Sequence, residues 1–256
     1  MNFWYHNHCN PGCKVVVLRG NHESYSYMHG VDGLHYSEYI NRMPEDVRTQ
    51  VEEFYRLLPF NVIINNSTYV VHGGLPGYPG LDFLETASKL LSRDQKVYPK
   101  DVKIMSVGDR DLVYSSLWSD FDPDLSEEYY FTINPRRKCF YWESSMFGRR
   151  MLTDYAVCFN KRDKTLKIKN FIFGHDHNKA PFAQTEFFAD SEHNSVGYVT
   201  TVITSPGLTI SPMREKRGGS VALVSPLWEK PEQYLNIKAF RRGGERNVRI
   251  QKLITL

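Results

Sequence analysis

The sequence predicts an α/β fold, because three apolar, strand-like segments each run into a turn of glycine and polar residues. The segments are residues 15–18, 69–71 and 171–173. Asn21, His72 and His175 lie in the turns that follow them. Strands of an α/β sheet gather such turns at their carboxyl edge. We therefore expect these three side chains to converge there.

The composition indicates one globular domain of 256 residues, with 41% hydrophobic and 24% charged residues. A net charge of +3 is too small to favour nucleic acid or a membrane surface as the main partner. No apolar run approaches the ~20 residues that span a bilayer, and residues 1–14 show no secretory signal. We expect the protein in the cytoplasm or the nucleus.

The cysteines support a reducing compartment, because their irregular spacing is not that of a disulfide framework. They are Cys9, Cys13, Cys139 and Cys158. The first two lie near His6 and His8, which leaves a zinc site as an alternative. Zinc knuckles usually have tighter cysteine pairs and a second pair downstream. Free thiols in an irregular leader are the preferred interpretation.

Hydrophobic periodicity predicts the remaining elements. Helices are expected at 44–58, 81–91 and 149–159, and strands at 14–18, 61–64, 68–71, 170–173, 198–203, 220–224, 234–240 and 248–254. Residues 93–111 and 206–219 are expected to be loops. The apolar face of the first helix consists of Val47, Val51, Phe54 and Leu58, and that of the third of Leu152, Tyr155, Ala156 and Phe159.

The three convergent residues have the chemistry of a transition-metal site. Asn21 offers an amide oxygen, and His72 and His175 offer imidazole nitrogens. Mixed nitrogen and oxygen ligation suits zinc, manganese or iron better than calcium. A single histidine at a strand end is more often a satisfied polar residue, but three such junctions in one chain favour a metal centre.

The neighbours of these residues suggest further roles. His22 follows Asn21, and adjacent residues of an extended stretch point in opposite directions. His22 can therefore face a substrate as a general acid while Asn21 binds metal. Glu23 and Asp176 are candidate hydrogen-bond partners that would fix a histidine tautomer.

Several motifs together resemble those of the phosphoprotein phosphatases, the serine/threonine phosphatases of the calcineurin-like metallophosphoesterase superfamily. They are Arg-Gly-Asn-His-Glu at 19–23, His-Gly-Gly-Leu at 72–75, Leu-Trp-Ser-Asp at 117–120, Phe-Gly at 147–148, Gly-His at 174–175 and Thr-Ser-Pro at 204–206. The resemblance implies an α/β sandwich of two mixed β-sheets flanked by helices and lacking the family's first strands. It also implies one domain over residues 1–256, truncated at the N-terminus.

The resemblance further implies hydrolysis of phosphoserine and phosphothreonine at two metal ions, which are manganese, iron or zinc. Asn21, His72 and His175 would hold one ion, and His22 would protonate the leaving oxygen. A metal-bound hydroxide would attack phosphorus between ions about 3.5–4 Å apart. Phosphoproteins and regulatory subunits are the implied partners, without nucleic acid or membrane.

The chain departs from the family at its first two motifs, Gly-Asp-x-His-Gly and Gly-Asp-x-x-Asp-Arg-Gly, which are absent. Residues 1–11 contain no aspartate. The ligands of the other metal and the bridging aspartate are therefore missing, so one site is largely retained. Either the sequence is incomplete, which we prefer, or catalysis is lost and the chain is a phosphopeptide-binding module.

Two other departures concern phosphate and metal binding. The register of the family's phosphate-binding arginine falls on Tyr141, and Arg136 or Arg137 nearby would grip phosphate instead or belong to a solvated basic loop. The string Gly-His-x-His at 174–177 is typical of metallophosphoesterases that act on diesters or nucleotides. His177 is therefore either a further metal ligand or a surface histidine.

Overall fold

The computed structural model describes residues 16–21, 43–78, 80–92, 107–134, 145–175, 182–202, 219–224, 235–240 and 249–254. Within these ranges the helices are α1 (Glu45–Leu57), α2 (Phe83–Leu91), α3 (Val107–Trp118) and α4 (Arg149–Arg162). The strands are β1 (Asn61–Ile64), β2 (Thr68–Val71), β3 (Asp120–Phe121), β4 (Phe131–Ile133), β5 (Ser145–Phe147), β6 (Asn170–Phe173), β7 (Phe182–Phe188), β8 (Val196–Val202), β9 (Gly219–Val224), β10 (Leu235–Phe240) and β11 (Arg249–Ile254).

The largest sheet is mixed and has the strand order β1-β2-β6-β8-β7. Its three middle strands are parallel, and Val71, Phe173 and Thr201 lie side by side at their carboxyl ends. The outer strands β1 and β7 are antiparallel to their neighbours. Parallel neighbours end at the same edge of a sheet, so the turns after β2 and β6 are brought together.

The predicted strands β1 and β2 are confirmed. They pair as a hairpin in which Ile64 lies opposite Thr68. Asn65 and Asn66 form its turn with φ values of 52° and 57°. Two consecutive positive φ angles favour asparagine and match the twist of a tight hairpin. The local sequence therefore fixes the register that places His72 directly after β2.

Two further sheets complete the described fold. The order β3-β5-β4 forms a second mixed sheet, and β9, β10 and β11 form an antiparallel one. The two mixed sheets with their helices confirm the predicted fold class. The short strands β3, β4 and β5 were not predicted, because two or three residues show no periodicity. Strand β7 was not predicted either.

The core lies between the large sheet and α4. The prediction of this helix is confirmed, because its predicted apolar face is fully buried. That face consists of Leu152, Tyr155, Ala156 and Phe159. The helix packs against α2 and β7. Burying a large apolar side chain contributes roughly 1.5–3 kcal/mol, so this face is a main source of stability.

The first helix forms as predicted, but its apolar face is only partly buried. Glu45 and Asp46 occupy the first turn, where negative charge is favourable. Leu58, just beyond the carboxyl end, is buried, whereas Val47 and Phe54 are exposed. Periodicity correctly indicated a helix here, but tertiary contacts decided how much of its face is covered.

Two expectations for the chain before β3 were wrong. Residues 16–18 were predicted to be strand, but they form no ladder, and Val16 is exposed. This segment is held instead by a hydrogen bond from the Arg19 amide to the Pro59 carbonyl, at 2.8 Å. Residues 107–111 were predicted to be loop and belong to α3. Burial of Leu112 and Leu117 stabilises that helix despite its polar beginning.

No helix in the described ranges is both long and apolar enough to cross a bilayer.

Candidate metal centre

His72 and His175 meet at the carboxyl edge of the large sheet. His72 directly follows β2, and His175 follows β6 by two residues. The amide of Gly174 donates to the carbonyl of His72 over 2.8 Å, which ties the two turns together. The imidazole centroids lie 5.3 Å apart in an edge-on arrangement. The parallel register of β2 and β6 thus creates a histidine pair from residues far apart in sequence.

Asn21 joins this pair from the segment before α1. Its Oδ1 lies 2.9 Å from Nε2 of His72, and the residue is 4% exposed. The buried Arg19 anchors the segment by its backbone bond to Pro59 and by the contact of its guanidinium, 4.7 Å above the Phe60 ring. A buried amide is therefore held in place against an imidazole nitrogen.

The spacing of these atoms fits ligation of one cation. Two ligand atoms about 2.1 Å from a metal and at right angles to each other lie about 3.0 Å apart. The 2.9 Å between Oδ1 of Asn21 and Nε2 of His72 matches that value. It also matches a hydrogen bond, which would hold the two side chains together without metal. The donor types suit a transition metal, and the 2.9 Å separation is compatible with a shared cation.

The other imidazole is oriented by a carboxylate. Nδ1 of His175 lies 2.9 Å from Oδ1 of Asp120, and His175 is 3% exposed. The second carboxylate oxygen of Asp120 accepts a 2.6 Å hydrogen bond from Nδ2 of Asn134. A carboxylate only accepts, so Nδ1 of His175 donates the hydrogen of this contact, and the carboxylate fixes the orientation of the ring.

Sequence reasoning missed the roles of Asp120 and Asn134. It assigned the task of fixing a tautomer to Glu23 and Asp176, which lie outside the described residues. The available signal was the position of Asp120 in the Leu-Trp-Ser-Asp string that resembles a family motif. Because 55 residues separate Asp120 from His175, spacing alone did not connect them.

The end of α3 closes one side of the site. The ring of Trp118, 7% exposed, meets that of His175 edge-on with centroids 5.6 Å apart. The amide of Gly73 donates to the carbonyl of Ser116 over 2.9 Å. A Cβ on Gly73 would lie 2.4 Å from the carbonyl carbon of Leu117. Glycine is required here because the helix backbone approaches the turn so closely.

Several predicted site residues lie outside the described ranges, so their roles stay predictions. They are His22, Arg136, Arg137 and His177. Across the described segments no group of three or more His, Cys, Asp or Glu side chains is arranged to hold a metal ion. The described donors are therefore the two imidazoles and the amide oxygen of Asn21, which account for part of one coordination shell.

This chain is similar to several known proteins. The family model for the calcineurin-like phosphoesterases matches residues 2–179. A probable serine/threonine-protein phosphatase of Encephalitozoon cuniculi is 30% identical over 122 residues, which are 46% of this chain and 23% of that protein. Serine/threonine-protein phosphatase T of Trypanosoma brucei brucei is 31% identical over 109 residues, or 42% and 20% of the two chains. The matches thus span less than a quarter of either relative.

The fold is also similar to that of a solved structure. A solved serine/threonine phosphatase from Saccharomyces cerevisiae, described as similar to human phosphatase PP5, superposes with a TM-score of 0.57. The superposition covers 96% of this chain and 65% of that one, at 19% sequence identity. This similarity confirms the predicted α/β architecture, and the family match extends over most of the chain. The protein therefore belongs to the calcineurin-like phosphoesterase family.

Proposed function

We propose that this chain carries the catalytic domain of a metal-dependent phosphatase that hydrolyses phosphomonoesters, with phosphoserine and phosphothreonine of proteins as substrates. The observation that carries the proposal is the convergence of Asn21, His72 and His175 at one sheet edge, with Oδ1 and Nε2 of the first two 2.9 Å apart. The curated relatives are named as serine/threonine phosphatases, which supports this substrate class.

Asn21, His72 and His175 would hold one metal ion of manganese, iron or zinc type. Bound ions of this kind supply a water of lowered pKa and stabilise negative charge on phosphate oxygens. Burial of Asn21 and His175 keeps water away from the ligand atoms, which strengthens their interaction with charge.

The remaining chemistry belongs to residues that the sequence predicts. His22 would donate a proton to the leaving oxygen of the serine or threonine. Arg136 or Arg137 would bind the phosphate oxygens through its guanidinium. Replacing His22 by alanine is expected to lower kcat by about 10²–10⁴-fold while leaving metal affinity unchanged. A loss of metal binding in that variant would contradict the assignment of His22 as an acid.

The central experiment measures hydrolysis by the full chain in the presence of Mn²⁺. The substrates are a phosphoserine peptide, para-nitrophenyl phosphate and the diester bis(para-nitrophenyl) phosphate. We expect hydrolysis of the two monoesters, and loss of both activity and Mn²⁺ binding in His72→Ala. The matched control is His193→Asn. His193 is an exposed histidine with a φ of 61°, which asparagine adopts readily, so this variant should behave like the wild type.

Other outcomes would support a different function or contradict the assigned metal centre. Preference for the diester would indicate a diesterase, and that activity should then also depend on His177. Binding of the phosphopeptide without hydrolysis or metal would indicate a phosphopeptide-binding module. Normal hydrolysis of para-nitrophenyl phosphate by His72→Ala would show that the metal centre is assigned wrongly.

A further inference from the structure

We infer that residues 161–169, which we call the basic segment, form a docking surface for an acidic segment of a partner protein. The basic segment runs from the last turn of α4 to the start of β6, at the amino edge of the large sheet. His72 and His175 lie at the opposite edge. The inference therefore goes beyond the proposed function and requires neither metal nor hydrolysis. The cations of the segment are Lys161, Arg162, Lys164, Lys167 and Lys169.

Positive charge is concentrated in this segment. Five cations and one carboxylate, that of Asp163, give it a net charge of +4, whereas the whole chain carries +3. Oδ1 of Asp163 already accepts from the amide and the hydroxyl of Thr165, at 2.9 and 2.7 Å. Among the ion pairs of the described residues, none includes a cation of the basic segment, whereas Lys89 is paired with Glu85. A partner that brings carboxylates would complement this excess of positive charge.

The cations are presented to solvent by alternation along the chain. Leu166 and Ile168 are buried, and successive residues of an extended stretch point to opposite sides. Lys167 is accordingly exposed and Lys169 partly exposed, and residues 161–165 are all exposed. The basic segment thus presents its charges outward while its apolar side chains anchor it in the core.

The backbone of the segment is held in place on two sides. The side chain of Asn160 donates to the carbonyl of Ile168 over 3.2 Å and accepts from its amide over 2.7 Å. The amide of Lys167 donates to the carbonyl of Asn66, in the turn between β1 and β2, over 2.7 Å. A surface that is already ordered loses less entropy when a ligand binds, so these bonds favour recognition.

Two of the cations have a structural role of their own. Lys161 and Arg162 lie in the last turn of α4, where positive charge stabilises the carboxyl end of a helix. Lys164, Lys167 and Lys169 lie beyond the helix, so this role does not account for them. They are therefore the residues on which docking is tested.

A neighbouring turn carries negative charge but does not cancel the excess. Strand β8 runs parallel to β6, with Tyr198 opposite Asn170, so the turn between β7 and β8 reaches the same edge. Its acidic residues are Asp190 and Glu192, and Oδ1 of Asp190 accepts from the amides of Glu192 and Asn194 at 3.0 Å. Across this turn and the basic segment, five cations stand against three carboxylates.

An acidic peptide fits this surface better than a nucleic acid or a membrane does. Residues 161–169 contain no aromatic side chain on which a base could stack. The apolar side chains of the segment, Leu166 and Ile168, are buried, so they cannot enter a bilayer as an interfacial anchor does. The carboxylates of an extended peptide need only exposed cations, which these lysines supply.

The test measures the binding of fluorescein-labelled octaglutamate to the full chain by fluorescence anisotropy. A chelator keeps the protein free of metal, so the carboxylates cannot bind through a metal ion. We expect binding that weakens as NaCl is added, because salt screens exposed charges. An exposed ion pair contributes up to about fivefold in affinity. Lys164→Glu combined with Lys167→Glu should therefore weaken binding by more than about tenfold.

The matched control is Arg149→Glu, compared with the single variant Lys167→Glu. Both make the same change in net charge, and Arg149 is exposed at the other end of the 14-residue helix α4, about 20 Å from its last turn. We expect about fivefold weaker binding for Lys167→Glu and a change of less than about twofold for Arg149→Glu. A second measurement needs no variant. Octaglutamate should slow acetylation of Lys164 and Lys167, but not of Lys89, as read by mass spectrometry of the wild type.

The inference is overturned if the double variant binds octaglutamate as tightly as the wild type, or if Arg149→Glu weakens binding as much as Lys167→Glu. It is also overturned if octathymidylate or phosphatidylserine vesicles bind more tightly than octaglutamate and lose that binding in the double variant. The partner would then be a nucleic acid or a membrane. An inactive chain that binds octaglutamate would reject the proposed function alone, whereas an active chain that does not bind it would reject this inference alone.

Discussion

The amide of Gly174 donates to the carbonyl of His72 across 2.8 Å, and this bond joins the two turns that carry the histidine pair. It continues the parallel pairing in which Val71 lies opposite Phe173. The spacing of the imidazoles is consequently a property of the sheet backbone. Residues that pack against this edge should therefore control both stability and metal affinity.

Metal ions are expected to stabilise the fold by mass action. At a Mn²⁺ concentration of 100 times Kd, the free energy of unfolding should rise by about 2.7 kcal/mol, seen as an increase of Tm in calorimetry. Ca²⁺ should have little effect, because the described donors include two imidazoles, and calcium prefers oxygen ligands. Chelation should reverse the gain, and His72→Ala should not show it. An equal response to Ca²⁺ and Mn²⁺ would contradict this prediction.

Gly73→Ala is expected to destabilise the protein by about 1–3 kcal/mol, as overpacking typically does. The new Cβ would meet the backbone of Ser116 and Leu117 at 2.4–2.7 Å, and neither that backbone nor the turn can move without disturbing His72. Chemical denaturation measures the change. Gly80→Asn is the control, because Gly80 has open space around it and a φ of 80°, which asparagine tolerates. Equal stability of the two variants would refute the argument.

Tyr155→Phe should cost about 1–3 kcal/mol in the free energy of unfolding, because it leaves a buried carbonyl without its donor. The phenol of Tyr155 donates to the carbonyl of Pro76 over 2.9 Å, and both residues are buried. This bond holds the chain just after the His72 turn against α4. The exposed Tyr129 provides the control, since Tyr129→Phe should change stability by less than about 0.5 kcal/mol.

Asp154 should make stability fall as pH rises through the acidic range. Burial raises the pKa of its carboxyl above the ordinary value of 3.8, although a hydrogen bond with Tyr130 and the charge of Arg150 oppose the shift. The folded state therefore binds the proton more tightly than the unfolded state. As a result, the free energy of unfolding decreases as the pH rises from 3.8 through the raised pKa.

The variant Asp154→Asn tests this effect of pH on stability. The variant should be more stable than the wild type near neutral pH, and the difference should shrink as the pH falls below 3.8. Denaturation at a series of pH values checks this. The control is Asp124→Asn, because Asp124 is an exposed carboxylate. A gain that is constant with pH would show that the charge of Asp154 is irrelevant.

Local patterns in the sequence predicted much of the fold. The hairpin of β1 and β2 followed from its two-asparagine turn, and α4 from its apolar repeat. The meeting of His72 and His175 followed from two apolar strands ending in Gly and His, because parallel strands bring such ends together. These features depend on interactions within a few residues or on a general rule of sheet geometry, so a sequence expresses them directly.

The remainder depended on packing between distant segments. Residues 16–18 are apolar like a strand but have no strand neighbour in the described fold, so Arg19 holds them through Pro59. The polar start of α3 gave no helical pattern, and strands of two or three residues gave no period. The hydrogen bond between Asp120 and His175 joins the first residue of β3 to the turn after β6, and no local property of either residue predicts it.

By itself the sequence determined which atoms are available at this centre: an amide oxygen and two imidazole nitrogens, each following an apolar segment. Only the tertiary structure decided that Nδ1 of His175 meets a carboxylate, because that depends on where the second sheet puts Asp120. Hydrogen bonds act over about 3 Å, and the chain brings these partners to that distance only when both sheets are packed.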